Sequence, residues 1–279
     1  MASKKNKPQE AEMSFLDHLE ELRWHLIRST LAVVIIAIVA FIFRKKIFSD
    51  IIFVFRESDF ISYKILCKIS QLVGSNKGCF DEVPFDIVNI EMAGQFSAAI
   101  WTSITAGFVV GFPYILYEFW KFISPGLYEN ERKNSRGFII VSSFLFFVGV
   151  TFGYFVIAPL SVNFLATFTI ADVVENKIKV GSYISLVRSS IIASGFIFEL
   201  PIIMYFLTKI GLVTPEFLKR NRKYALVIVL ILSAIITPPD ISTQVIVAVP
   251  VLILYEVSIV ISRIVLKREA KRIKKQQAA

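Results

Sequence analysis

The sequence predicts an all-α integral membrane protein with six transmembrane helices and both termini in the cytoplasm. Three observations carry that expectation. The 279-residue chain is 55% hydrophobic and holds 26 Phe, more apolar surface than a soluble domain of this size can cover. Long runs carry no Asp, Glu, Lys or Arg, one between Glu91 and Glu118 and another between Arg136 and Asp172. Each exceeds the roughly 20 residues that a helix needs to cross hydrocarbon, and neither alternates with the period of a barrel strand. Finally, Lys and Arg crowd alternate loops.

The elements follow in order. Residues Ser14–Leu26, SFLDHLEELRWHL, read as a helix. Ser14 stands as N-cap with Asp17 at N3. Phe15, Leu19, Leu22 and Leu26 form an apolar stripe, with Asp17, Glu20 and Glu21 on the other side. This acidic helix runs straight into a first span at about Trp24–Phe43. Helices resting on anionic membranes normally show Lys and Arg instead, so the acidic face asks for a cationic partner. The next spans are expected at about Gln95–Lys121, Gly137–Pro159 and Ile184–Thr208. The last two, about Tyr224–Thr237 and Thr243–Ser262, are short and joined by Pro238-Pro239-Asp240-Ile241-Ser242, a tight hairpin. Residues 44–91 form a long outside loop and 263–279 a basic cytoplasmic tail. The chain reads as one polytopic membrane domain.

Orientation comes from the positive charges. With both termini inside, 21 of the 31 Lys and Arg lie on the inner side. Arg44, Lys45 and Lys46 just after the first span run against the rule. The net charge of +9 is therefore read as loop charge of an inner-membrane protein and not as a nucleic-acid footprint. The polar, Lys-containing first thirteen residues lack a cleavable signal pattern. The sequence holds no zinc-type Cys/His spacing, phosphate loop or nucleophile elbow. Its two His, His18 and His25, both lie in the leading segment. No metal, cofactor or catalytic residue is expected, and the chain does not read as an enzyme.

Several polar residues invite a role. Glu21 in the leading helix and Glu131 in the loop SPGLYENERK are positioned to hold guanidinium groups by paired, charge-assisted hydrogen bonds. Each also has a plainer reading: Glu21 as a solvated face or a partner of His25 at i+4, Glu131 as a loop acid beside Arg132 and Lys133. Glu199 falls mid-span in GFIFELPIIM, where a charge costs about 2.5–3.5 kcal/mol. It needs a wet cavity, a partner or a proton, and Pro201 frees a backbone carbonyl nearby. Glu256 lies nearer a membrane edge. Thr237, Asp240, Ser242 and Gln244 sit at the short hairpin, placed either for turn chemistry or to hydrogen-bond a visiting helix. Cys67 and Cys79 lie in the first outside loop. An oxidising compartment favours a disulfide between them, and two free thiols are the alternative.

The segment HLEELRWHL, the loop FISPGLYENERK, FELP in the fourth span and TPPDISTQ at the hairpin occur in this order across six spans. Together they resemble the TatC family, the multispanning receptor subunits of the twin-arginine protein translocase, over about Phe15 to Arg263. The resemblance implies a concave, glove-like bundle that binds twin-arginine signal peptides of folded precursors. It places signal-peptide binding on Glu21, Arg23 and Glu131. It places docking of TatA- and TatB-type single-span subunits on Glu199, Thr237 and Gln244. It further implies export driven by the proton-motive force, contact with membrane lipid, self-association in a larger complex and no nucleic-acid partner. The long first outside loop departs from the family pattern. The alternative is a proton-coupled secondary transporter using Glu199, a class that usually shows more intramembrane charge and an internal repeat.

Overall fold

The computed structural model describes residues 15–57, 59–72, 86–123, 135–171, 176–237 and 241–277. Helix α1, Phe15–Ile42, is continuous, so the leading acidic segment and the first span are one rod. Short α2, Arg44–Ile47, follows, then a π turn and a 3-10 turn to Arg56, and α3, Ile61–Leu72. Strand β1, Asp86–Val88, precedes α4, Gly94–Ile123. Helix α5, Ser135–Phe152, continues through a π turn at Gly153–Ile157 into α6, Ala158–Thr167. Strand β2, Lys177–Lys179, leads into α7, Val180–Phe198, and α8, Leu200–Lys209. Short α9, Pro215–Arg220, then α10, Arg222–Ile236, and α11, Ile241–Gln277, complete the described chain.

Five stretches among the described residues are long and apolar enough to cross a membrane: Leu19–Ile42, Gly94–Ile123, Gly137–Thr167, Val180–Lys209 and Thr243–Arg268. The expected fifth span corresponds to α10, with 15 residues, about 22 Å at the helical rise and short of a hydrocarbon core of about 30 Å. The third helical stretch runs past Pro159, where the sequence expectation ended it. The π turn absorbs the proline, which enters at the first turn of α6, where its missing N–H is not needed. Helix α11 likewise continues beyond Ser262 to Gln277.

Close packing replaces the hydrophobic driving force that lipid cannot supply. A Cβ on Gly149 would lie 2.6 Å from the Ser194 carbonyl oxygen, and one on Gly153 2.7 Å from that of Ser190. Glycines four apart on this helical stretch thus let it seat directly on the α7 backbone. Gly107 does the same for α4 against α1, where a Cβ would meet the Val33 carbonyl at 2.6 Å. Between α8 and α11, Thr208 Oγ1 donates to Ser262 Oγ at 2.8 Å, both side chains buried. Between α10 and α11, Arg222 donates to Glu256 at 2.7 Å, so this carboxylate has a definite partner.

The segment after α1, through α3, is folded over one end of the bundle. Ile52, Phe55, Phe60 and Tyr63 bury against Val162, Tyr183 and Ile184. Three tyrosines pin it: Tyr183 to the Ile52 carbonyl at 2.6 Å, Tyr154 to that of Ile51 at 2.9 Å, and Tyr63 to those of Phe55 and Pro159. Burial pushes the Tyr63 phenol up from its ordinary value, so it stays a neutral donor. Strand β1 pairs in parallel with β2, Asp86 opposite Lys177, which joins the segment before α4 to the segment before α7. Cys67 in α3 is disulfide-bonded, whereas Cys79 lies outside the described residues.

Candidate functional site

The acidic leading helix faces the opposite way from a helix on a soluble core. Its apolar stripe looks outward: Leu19, Leu22 and Leu26 are exposed, Leu26 by 64%. Of its polar residues His25 turns inward, only 6% exposed, while Glu21 is half-buried and Glu20 stays exposed. The reason is the solvent. Around a membrane bundle the surroundings are apolar, so the apolar stripe seeks the outside and polar groups pair within.

The inward partner is Glu118 near the end of α4, 3% exposed. His25 Nδ1 donates to Glu118 Oε2 at 2.5 Å. Arg28 and the Tyr114 hydroxyl approach the same carboxylate. This buried pair locks α1 to the antiparallel α4 within a few residues of where both reach the membrane edge. One turn before His25, Glu21 Oε1 lies 3.8 Å from His25 Nε2. The i+4 pairing is therefore present, as the second half of a Glu21–His25–Glu118 chain. Glu21 is partly exposed, and its Oε2 is buried with no hydrogen-bond partner among the described residues. At 3.8 Å the Glu21–His25 contact is an ion-pair approach and not a hydrogen bond. Arg23 is exposed two residues on. Glu131 lies outside the described residues.

Glu199 stands at the break between α7 and α8. Its backbone closes the first helix, donating to Phe196 O at 3.1 Å, and its carbonyl opens the second, accepting from Ile202 and Ile203 at 3.0 Å. Pro201 forces this break by lacking an N–H. The side chain is buried, at 7% exposed. Its carboxyl is served by Ser142 of α5, whose Oγ donates to Oε2 at 2.6 Å, and not by the freed backbone. Oε1 has no partner. The hairpin residues do not share this pocket. Thr237 Oγ1 is buried and donates to the Ser233 carbonyl at 2.8 Å. Gln244 Nε2 donates to the Leu230 carbonyl at 3.0 Å. Both knit α10 to its own turn and to α11. Asp240 lies outside the described residues.

The structure thus separates two polar sites: the Glu21–His25–Glu118 edge between α1 and α4, and the Glu199–Ser142 pocket. Sequence reasoning missed Glu118. It was visible as the acid ending an uncharged run, but only the antiparallel pairing of α1 and α4 shows what it meets. No group of three or more His, Cys, Asp or Glu able to hold a metal occurs among the described residues.

A multispanning bundle with an acidic edge and a separate buried carboxylate is the architecture of a membrane receptor or transport component. Comparison with known proteins gives the family. The sequence pattern described as Sec-independent protein translocase protein (TatC) matches residues 17–250. A TatC protein of Blattabacterium is 43% identical over 265 residues, covering 94% of this chain and 100% of that protein. Two crystal structures of the twin-arginine translocase receptor TatC superpose with TM-scores of 0.65 and 0.67. They are 34% and 35% identical to this chain and cover 89% and 88% of it, and 99% of each of theirs. The chain belongs to the TatC family of Sec-independent protein translocase proteins.

Proposed function

We propose that this chain is the signal-peptide receptor of a twin-arginine translocase, with Glu21 and Glu131 taking the two guanidinium groups and Arg23 supplying the basic group of the site. The observation that carries this reading is the partly exposed Glu21 carboxylate on a helix clamped by His25 and Glu118. Clamping reduces the ordering that peptide binding would otherwise require. Arginine's planar fork suits such a carboxylate better than lysine's point charge.

Glu199, with its unpartnered oxygen, is proposed to dock polar groups of TatA- and TatB-type single-span subunits, assisted by Thr237 and Gln244 at the short hairpin. The distribution of Lys and Arg supports six spans, with α10 as a short fifth, both termini cytoplasmic and an inner-membrane location. Energy comes from the proton-motive force, and the receptor self-associates in a larger complex. Replacing the chromosomal gene and scoring export of a folded twin-arginine reporter tests the reading. Wild type restores export, while Glu131→Gln inserts normally and fails to crosslink a twin-arginine peptide. Undiminished crosslinking by Glu131→Gln removes that residue from the site.

A further inference from the structure

We infer that a cleft at the end of the bundle away from Glu21 and Glu118 is a binding site for an anionic phospholipid. The cleft encloses about 790 Å³, within the range of small-molecule sites. It lies where α1 ends and α4 and α7 begin, with the folded outside loop as one wall. Its lining divides by chemistry. Arg44, Lys45 and Arg56 supply positive charge, and Phe48, Phe53 and Phe96 an apolar wall, with no Asp or Glu among the lining residues.

Each part is built into the fold. Phe53 is stacked on the buried Tyr183, 5.8 Å between rings, and Phe96 meets Phe41 edge-on at 6.4 Å while staying 63% exposed. Arg44 is held over the Phe41 ring at 4.9 Å and donates to its carbonyl at 3.3 Å. Neither Arg44 nor Lys45 forms an ion pair with a carboxylate among the described residues. The nearest acids on the same segment turn elsewhere: Asp50 is exposed and accepts from Ser49, and Glu57 is exposed beyond the 3-10 turn.

An aromatic wall under a basic rim, at the level where a span leaves its apolar run, matches an acyl chain beneath a phosphate. Basic pockets between membrane helices bind anionic headgroups in this way. The site also gives Arg44 and Lys45 a purpose on the side where the charge rule disfavours them. A single-span helix is the weaker occupant, because it would need a groove running along the spans and this cleft closes at their ends. The inference is independent of the peptide site.

The test uses the full chain in neutral detergent, with native mass spectrometry after titration with dioleoyl phosphatidylglycerol, dioleoyl phosphatidylcholine or inorganic phosphate. One phosphatidylglycerol per chain is expected to survive, with phosphatidylcholine and inorganic phosphate ineffective as ligand or competitor. Arg44→Gln with Lys45→Gln lowers retention about 30-fold, the worth of two basic groups at a membrane surface. Lys64→Gln, whose amine pairs with Asp59 at 2.6 Å, leaves retention unchanged. Ala99→Phe fills the floor without touching a charge and also removes the adduct, so the two variants together guard against misfolding of either. Equal retention of phosphatidylcholine, displacement by inorganic phosphate, or wild-type retention in both variants overturns the proposal. So does loss of a co-purified single-span subunit with lipid retention intact.

Discussion

Replacing His25 by Ala isolates the clamp beneath the proposed peptide site. The pair is buried on both sides, and the Nδ1–Oε2 distance of 2.5 Å makes it a close, charge-assisted hydrogen bond. Removing one member of a buried pair costs about 3–5 kcal/mol because the other is left uncompensated. Arg28 and Tyr114 remain near Glu118 and offset part of this, so about 3 kcal/mol is expected. For a chain of this size that corresponds to a fall of roughly 6–12 °C in melting temperature. Glu118→Gln keeps an acceptor and loses only the charge, so it costs about 1 kcal/mol. The assay is thermal unfolding of full-length protein in detergent, for His25→Ala, Glu118→Ala and the double variant. The double variant should be less destabilised than the sum of the singles, since each single already breaks the same bond. Singles that melt within a degree of wild type, or effects that simply add, refute the clamp.

Three further outcomes follow from the same geometry. Glu199→Ala is expected to weaken co-purification of single-span subunits while twin-arginine peptide crosslinking persists; equal loss of both in a stably inserted protein contradicts the two-site division. Gly149→Ala drives a Cβ to 2.6 Å from the Ser194 carbonyl and should cost about 1–3 kcal/mol by overpacking, whereas Gly181→Ala, with nothing within 4 Å, should melt within about 2 °C of wild type. Thiol labelling of unreduced, denatured protein should find no free thiol, given the bonded Cys67; two labelled cysteines end that assignment.

Much of the helical layout was legible in the sequence, because uncharged runs longer than a bilayer core have one economical reading. Charge statistics do not reveal how a helix is rotated, and the sequence reading of α1 left that open. The stripe of Leu19, Leu22 and Leu26 was a sound periodicity, but periodicity alone does not say whether the apolar side meets protein or lipid. With the stripe turned outward, His25 turns inward and meets Glu118, 93 positions away, while Glu21 lies at the rim beside His25. Glu199 was found because a mid-span acid is costly wherever it lies, yet its partner Ser142 is an ordinary serine on another helix. Glycines at 149 and 153 have the four-residue spacing of a close helix contact, a signal present in the sequence and not used. The pairing of β1 with β2 involves three residues on each side, too few to produce a readable alternation.

Glu21 is the carboxylate proposed to hold arginine. Its most direct test is the affinity of full-length protein, in detergent, for a signal peptide bearing paired arginines and for the same peptide bearing paired lysines, measured with wild type and Glu21→Gln. The paired-arginine peptide should bind wild type at least about tenfold more tightly than the paired-lysine peptide, the difference of one charge-assisted hydrogen bond. Glu21→Gln should bring the arginine peptide down to the lysine value. Equal affinity of the arginine peptide for wild type and Glu21→Gln, in protein that melts normally, would contradict the claim.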